Sequence, residues 1–175
     1  MKVRKCHLEG ILLIEPITYV DDRGFFLESF EKKRYRELGI TEDFIQDNHS
    51  RSKKNVLRGL HFTRNKPQAQ ILTVMRGRIF DVVVDIRKNS PTFAKWFGTE
   101  LSDAGVRQIY MPHGFAHGFC VLSEFADLHY KVNQQYDPAD EGGLIWNDNK
   151  VQIDWPIREP LVSERDQMHQ RLEDI

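Results

Sequence analysis

The chain has few of the features that mark metal, redox, nucleic-acid or membrane proteins. Its 175 residues include only two cysteines, Cys6 and Cys120, and neither belongs to a CxxC motif, so we expect two reduced thiols. The net charge of -1 leaves no excess positive field to hold a nucleic acid. The apolar stretch ILLI is far shorter than a signal-peptide core or a membrane span. These absences predict a cytoplasmic protein that binds neither nucleic acids nor membranes.

Short apolar and β-branched segments, separated by turn residues, recur along the whole chain. This spacing is typical of an all-β sandwich or barrel and not of alternating strands and helices. A chain of this length, with 40% hydrophobic residues, can bury one continuous core, so residues 1–175 are expected to form a single domain. Clear examples of such segments are QILTVMRG, RIFDVVVDIR and HGFCVLS.

Local patterns predict individual strands, turns and helices. Residues 79–86 alternate: the even positions are all apolar, while the odd positions include Asp81 and Asp85, so the even face should pack on a core. The tripeptide 76–78, centred on Gly77, is typical of a hairpin turn. We expect helices only around residues 30–39, ending at Gly39, and in the polar stretch 163–175.

Arg58 and His61 are two candidate functional positions, and a dense run of polar residues lies shortly before them. This run is QDNHS at 46–50. Polar groups inside a barrel are costly unless they have hydrogen-bond partners, so this set predicts a small polar ligand. Arg23 and Arg58 carry guanidinium groups that match phosphate oxygens, although a lone arginine is more often a surface ion-pair partner.

His61 and His117 have a spacing similar to that of metal-binding cupin barrels, but the ligand set is incomplete. Such barrels carry a His-x-His pair with a later Glu in one segment and a second histidine after a proline. Here Thr63 and Gln70 stand where the second histidine and the glutamate would be. Two imidazoles do not form a tight zinc or iron site, so we expect no metal; each histidine could instead be a satisfied interior residue.

Several motifs in order resemble the dTDP-4-dehydrorhamnose 3,5-epimerase family over nearly the whole chain. The resemblance implies a double-stranded β-helix (cupin-type jelly roll) with short peripheral helices, assembled as a homodimer. It also implies epimerisation of a nucleoside-diphosphate 4-keto-6-deoxyhexose without a cofactor, on the pathway to L-rhamnose. The motifs are NHSRSKKNVLRGLHF at 48–62, DVVVDIRKNSPTF at 81–93, MPHGFAHGF at 111–119, LIWND at 144–148 and SERD at 163–166.

The same resemblance assigns roles to individual residues. His61 matches the general base, Asp166 the carboxylate that orients it and Tyr130 the acid. Without the resemblance, Tyr130 would be a core aromatic and Asp166 a carboxylate at a helix N-terminus. In the family, the early arginine and phenylalanine reach the nucleotide from the neighbouring subunit. The matched binding positions are Arg23, Phe26, Glu28, Gln46, Asn48, Arg58, His117 and Tyr136.

Two positions depart from the family pattern. Gln70 stands where a lysine is usual, and a neutral amide offers an enolate a hydrogen bond but no charge. Gln135 stands where a tyrosine often precedes the one matched by Tyr136. Gln70 therefore leaves open a slower enzyme, inversion at one carbon only or a different sugar. The rival predictions are a single-carbon epimerase or 4-keto-sugar isomerase on a CDP- or GDP-linked sugar, a non-catalytic sugar-binding module and a metal-dependent cupin enzyme.

Overall fold

The chain forms two facing β-sheets, a separate two-stranded hairpin and two short peripheral helices. A computed structural model describes residues 1–175. The strands are β1 (Lys2–Lys5), β2 (Leu12–Glu15), β3 (Thr18–Asp21), β4 (Gly24–Leu27), β5 (Gln46–Lys53), β6 (Val56–Thr63), β7 (Gln70–Arg76), β8 (Arg78–Asp85), β9 (Trp96–Ser102), β10 (Gln108–Met111), β11 (Phe115–Val121), β12 (Phe125–Val132), β13 (Glu141–Gly143) and β14 (Leu161–Val162). The helices are α1 (Lys32–Glu37) and α2 (Glu164–Gln167), followed by a 3-10 turn at Leu172–Asp174.

Neighbouring strands in each sheet are mostly distant in sequence. The first sheet has the order β1-β2-β10-β7-β12-β5, and the second has the order β13-β6-β11-β8-β9. The pairs within these orders are antiparallel, and β14 adds to β6 in parallel. The strands β3 and β4 pair only with each other. The jelly-roll fold expected from the resemblance is confirmed.

Three hydrophobic clusters hold the two sheets together and cover their outer faces. The largest lies between the sheets and joins Leu72 and Leu128 of the first sheet to Val83 and Phe119 of the second. A second cluster, which includes Leu172, packs the C-terminal part of the chain on the outer face of the second sheet. The third packs α1 on the outer face of the first sheet. Apolar side chains therefore pack on both faces of each sheet, and the alternation along each strand decides which side chains point into the space between the sheets.

The strand β8 is buried on both faces, including its aspartates. Its even positions pack in the outer cluster, as the alternation predicted. Its odd positions point between the sheets, where Asp81 accepts a hydrogen bond from His117 at 2.8 Å. Asp85 is also fully buried and accepts hydrogen bonds from Arg87 and Thr92, so its charge is paired inside the fold.

The prediction of a hairpin at residues 76–78 is wrong. The strand β7 pairs with β10 and β12, whereas β8 pairs with β9 and β11, so Gly77 carries the chain from one sheet to the other. Gly77 has a φ of 86°, and a Cβ there would lie 2.2 Å from the carbonyl oxygen of Phe125. The corner therefore requires glycine both for its backbone conformation and for space.

The helices agree with the sequence only in part. The helix α1 ends before Gly39, which has a φ of 88°, and so confirms the predicted helix and its glycine end. The predicted C-terminal helix is instead two short pieces. Between them Gln170 forms a β-bridge with Leu144, and its carbonyl accepts from the amide of Ile145, which takes this backbone out of the helix.

Both cysteines are free, in agreement with the sequence prediction. Cys120 is buried in β11, and burial raises the pKa of its thiol to about 12. Such a thiol is inert at neutral pH. No helix in the fold is long and apolar enough to cross a membrane.

Replacing Gly77 with alanine should destabilise the fold strongly. The new Cβ would collide with backbone at the corner and force a left-handed conformation on an alanine, a combined cost of about 3 kcal/mol or more in the free energy of unfolding. Gly105→Ala is the matched control, because Gly105 also has a positive φ but has open space around it. Urea unfolding measures both; equal losses for the two variants would contradict the steric argument.

Candidate active site

A polar cavity of about 250 Å³ lies between the two sheets. Strands β5, β7 and β12 contribute side chains from the first sheet, and β6, β11 and β13 contribute from the second. A concave site with several converging polar groups is the usual form of a small-molecule site. Of the site residues predicted from the sequence, seven line it: Asn48, Arg58, His61, Gln70, His117, Tyr130 and Tyr136.

His61, in β6, is held by a carboxylate from the far end of the chain. Its Nε2 lies 3.0 Å from Oδ1 of Asp166 in α2, and Oδ2 of Asp166 accepts from the amide of Gly59 at 3.0 Å. Burial alone would raise the pKa of Asp166, but these hydrogen bonds outweigh it and hold the pKa well below its usual range. A carboxylate only accepts, so the proton of His61 sits on Nε2 and Nδ1 is the basic nitrogen.

Three further side chains surround this pair. Oε1 of Glu141, in β13, lies 3.9 Å from Nδ1 of His61. Arg165 donates to Oε2 of Glu141 at 2.7 Å, and its Nε lies 3.4 Å from Oδ1 of Asp166. The ring of His169 meets that of His61 edge-on, with centroids 5.3 Å apart. Burial, followed by the nearby imidazole of His61, lowers the pKa of His169, which favours the neutral form of this second imidazole.

Tyr130 faces the same cavity from the opposite sheet. It lies in β12, and its Oη is 3.3 Å from Oγ of Ser50 in β5. Burial raises the pKa of Tyr130 to about 12, so the phenol keeps its proton at neutral pH. The cavity thus has a basic imidazole nitrogen on one side and a protonated phenol on the other, which is the pair of groups that proton abstraction and return require.

His117 is held by a second buried carboxylate. It pairs with His61 across the β6–β11 ladder, and its Nε2 lies 2.8 Å from Oδ2 of Asp81, which is fully buried. This bond fixes the ring of His117 beside the cavity. Oδ1 of Asp81 has no hydrogen-bond partner, so the bond to His117 is the one side-chain hydrogen bond of this buried carboxylate.

The remaining predicted residues inside the cavity offer donors and few acceptors. The amide of Gln70 donates to Gln68 at 3.2 Å, and both residues line the cavity. The Nε of Arg58 donates to Ser52 at 2.8 Å, which leaves the other guanidinium nitrogens free for a ligand. Arg58 is therefore the fixed positive charge of the lining.

Asn48 and Tyr136 are joined at the rim through a residue that does not line the cavity itself. Gln46 donates to Oδ1 of Asn48 at 2.8 Å and accepts from the amide of Tyr136 at 3.1 Å. Gln46 therefore connects β5 to the loop after β12. Gln46 itself lies beside the cavity and holds two of its lining residues.

Three predicted binding residues lie outside the cavity, on or next to the β3–β4 hairpin. Arg23 pairs with Asp21, and Phe26 is 65% exposed. Glu28 pairs with Arg34 of α1. Within one chain these three residues therefore line no part of the cavity that holds His61 and Tyr130.

The profile of one protein family, described as dTDP-4-dehydrorhamnose 3,5-epimerase, matches residues 5–174. The chain belongs to this family. Its Shigella flexneri relative, a dTDP-4-dehydrorhamnose 3,5-epimerase, is 48% identical over 95% of this chain and 93% of the relative. A dTDP-4-dehydrorhamnose 3-epimerase of Streptomyces niveus is 43% identical over 95% of this chain and 82% of the relative.

Solved structures agree with this membership. The dTDP-6-deoxy-D-glucose-3,5-epimerase of Legionella pneumophila, solved in complex with dTDP-4-keto-L-rhamnose, superposes with a TM-score of 0.96. It is 45% identical and covers 98% of this chain and 93% of its own. Membership in the dTDP-4-dehydrorhamnose 3,5-epimerase family confirms the resemblance and the prediction of an isomerase-class enzyme.

The charges around His61 suit proton transfer better than metal binding. The nitrogen and oxygen atoms of His61, Asp166 and His169 lie within 4.8 Å of one another, a spacing that could hold a cation. Nη2 of Arg165, however, lies 3.3 Å from Nε2 of His61 and would repel one. His117, the other candidate ligand, directs its Nε2 to Asp81. Both imidazoles of this epimerase-family cavity are therefore engaged in hydrogen bonds.

Four residues that shape the site were not predicted from the sequence. Glu141 and Arg165 lie beside His61, His169 packs on it, and Asp81 holds His117. The segment SERD contained Arg165, but nothing in its spacing indicated a contact with β6. The signal for Asp81 was available, because an aspartate on the odd face of β8 needs a buried partner.

Replacing Asp166 with asparagine should lower stability at neutral pH by about 2 kcal/mol. The folded-state pKa of Asp166 is depressed, so its contribution is present above its unfolded value near 4 and is lost as the pH falls through the lower folded value. The difference in the free energy of unfolding between wild type and Asp166→Asn, measured with urea from pH 7 to pH 2.5, should therefore become smaller below pH 4. Asp22→Asn, at an exposed carboxylate, is the control, and a difference that stays constant across this range would refute the assignment.

Proposed function

We propose that this chain epimerises a dTDP-linked 4-keto-6-deoxyhexose at C3, at C5 or at both carbons. The observation that carries the proposal is the placement of His61 and Tyr130 in one cavity, on strands of the two facing sheets. The family match and the dTDP-sugar complex of the Legionella structure support this substrate class. L-rhamnose formation is the metabolic role that the family name implies.

The reaction begins with loss of a proton from a carbon beside the ketone. The carbonyl already acidifies this hydrogen, so a base and an acid suffice and no redox cofactor is needed. Nδ1 of His61 takes the proton, and the electron pair of the C–H bond moves into an enolate at the C4 oxygen. The carboxylate of Asp166, 3.0 Å from Nε2, stabilises the imidazolium that results.

The second half of the reaction returns a proton to the opposite face. Tyr130 donates its phenolic proton to the carbanion carbon as the enolate collapses to the ketone, which inverts the centre. The resulting tyrosinate lies in a buried site that raises the pKa of Tyr130 to about 12, so it recovers a proton readily. His61 and Tyr130 are reset when the imidazolium loses its proton and the tyrosinate gains one.

The enolate oxygen must meet fixed donors within the cavity. Arg58 supplies a positive charge and Gln70 an amide, in place of the family's usual lysine. A weaker set of donors favours inversion at a single carbon as the second candidate activity. Relatives of both kinds exist, since the Shigella protein is named a 3,5-epimerase and the Streptomyces niveus protein a 3-epimerase.

A second copy of the chain completes the nucleotide end of the site in this proposal. The β3–β4 hairpin packs on neither sheet and exposes several apolar side chains, which are Ile17, Tyr19, Val20, Phe25 and Phe26. Exposed apolar surface of this kind is typical of a protein interface. A homodimer would cover it and bring Arg23 and Phe26 to the partner's nucleotide.

Proton exchange in deuterated water tests the roles of the two groups. With dTDP-4-keto-6-deoxyglucose as substrate, His61→Ala should lose incorporation of deuterium beside the ketone by roughly 10²- to 10⁴-fold. Tyr130→Phe should keep the exchange and lose inversion, because abstraction does not need the phenol. Proton NMR follows both, and the number of deuterons in the wild-type product counts the carbons that react.

The exposed His113 provides the control, since His113→Ala should exchange at the wild-type rate. Exchange at the wild-type rate in His61→Ala would show that another group is the base. Inversion retained in Tyr130→Phe would show that the phenol is not the acid that returns the proton.

The hairpin interface has its own test. Phe26→Asp places a charge on the exposed apolar surface and should convert a dimer to a monomer, as measured by light scattering after gel filtration. The KM for the dTDP-sugar should rise with dissociation, because Arg23 would no longer reach the partner site. A wild-type protein that is monomeric at micromolar concentration would contradict the shared site.

A further inference from the structure

The imidazole of His61 has two carboxylates and one guanidinium around it. Asp166 takes the hydrogen bond from Nε2, and Glu141 lies 3.9 Å from Nδ1. Arg165 joins the two carboxylates: it donates to Glu141 at 2.7 Å, and its Nε lies 3.4 Å from Asp166. Its Nη2 is also 3.3 Å from Nε2 of His61. This one arginine therefore contacts every charged group that touches the base.

The other groups that face His61 are uncharged at neutral pH or are bonded to other residues. His169 packs on its ring, but burial and the nearby His61 lower the pKa of His169, so this imidazole is uncharged there. His117 lies on the neighbouring strand and is bonded to Asp81. Arg58 lies on β6 itself and is bonded through Nε to Ser52. The closest charges are thus those of Asp166, Glu141 and Arg165.

Hydrogen bonds hold the carboxylate of Glu141 out of bonding distance of Nδ1, the basic nitrogen of His61. Its Oε2 accepts from both Arg165 and the hydroxyl of Tyr136, at 2.7 and 3.0 Å. Its Oε1 is left 3.9 Å from Nδ1, which is beyond hydrogen-bond distance. Nδ1 therefore stays free for the carbon-bound hydrogen, while a negative charge stands close enough to favour a proton on the ring.

We propose that Arg165 and Glu141 are positioning residues that set, in opposite directions, the pH at which His61 can act as a base. The inference rests on the proposed function for what His61 does with its proton. A cation beside an imidazole favours the neutral form, and a carboxylate favours the protonated form. Arg165, 3.3 Å from Nε2, therefore disfavours an added proton on the ring, and Glu141, 3.9 Å from Nδ1, makes the imidazolium formed in the reaction less costly.

The test is the NMR titration of the Cε1 proton of His61 in the protein without substrate. Its signal is assigned by its loss in His61→Gln. Arg165→Met should move the titration midpoint up by about half a pH unit, and Glu141→Gln should move it down by a similar amount, values reduced for the solvent exposure of Arg165. Arg165→Lys keeps the charge and should restore most of the wild-type midpoint. Should either variant fail to fold, Arg165→Gln and Glu141→Ala remove the same charges.

A matched control is the surface pair Arg78–Glu100, in which both side chains are half exposed. Arg78→Met and Glu100→Gln should leave the midpoint of His61 unchanged. A merely structural role for Arg165 and Glu141 would shift the midpoint in the same direction in both variants, or would shift it no more than these controls, and either result would overturn the proposal.

Activity adds a second readout that separates this inference from the proposed function. The acid limb of kcat/KM for hydrogen exchange reports the ionisation of the free base, so it should move up in Arg165→Met and down in Glu141→Gln, in step with the NMR midpoints. Opposite NMR shifts in a protein that turns over no dTDP-sugar would support the charge arrangement and refute the proposed function. Turnover with unmoved midpoints would refute the inference alone.

Discussion

The hydrogen bonds that Asp166 makes to β6 are the interaction on which the site depends. One carboxylate accepts from Nε2 of His61 and from the amide of Gly59, and so docks α2 on a strand that lies more than 100 positions earlier in the chain. It fixes which nitrogen of the imidazole is basic. Because Arg165 and His169 belong to the same short segment, docking Asp166 also brings both of them against the base. A strand residue thereby acquires an environment suited to proton transfer.

The two facing sheets supply the other requirement of the proposed mechanism, which is a separation of the proposed base and acid across one cavity. Side chains alternate along a strand, so His61 points inward while its neighbours Leu60 and Phe62 pack in the outer cluster. The same alternation in β12 directs Tyr130 into the cavity from the other sheet. The fold thus presents the two groups proposed for proton transfer from opposite directions, and the hydrophobic clusters on both outer faces keep those strands in place.

Local sequence patterns predicted the all-β fold, the helix that ends at Gly39 and the inward-facing polar residues, because each depends on residue spacing. They did not predict the corner at Gly77, since a glycine between two strands is compatible with a hairpin and with a crossing between sheets. Glu141 and Arg165 were missed for a related reason: their roles come from contacts between distant segments. His61 was indicated by its polar neighbours, whereas the roles of Tyr130 and Asp166 came from family resemblance, because an isolated tyrosine in a strand is more often a core residue.

The most direct measurement of the central claim is a crystal structure of the protein with dTDP-6-deoxyglucose, which lacks the ketone and cannot react. We expect the hexose to lie between the sheets, with Nδ1 of His61 and Oη of Tyr130 on opposite faces of the ring and each about 3 to 3.5 Å from the same carbon. A hexose bound elsewhere, or one with both groups on the same face, would contradict it.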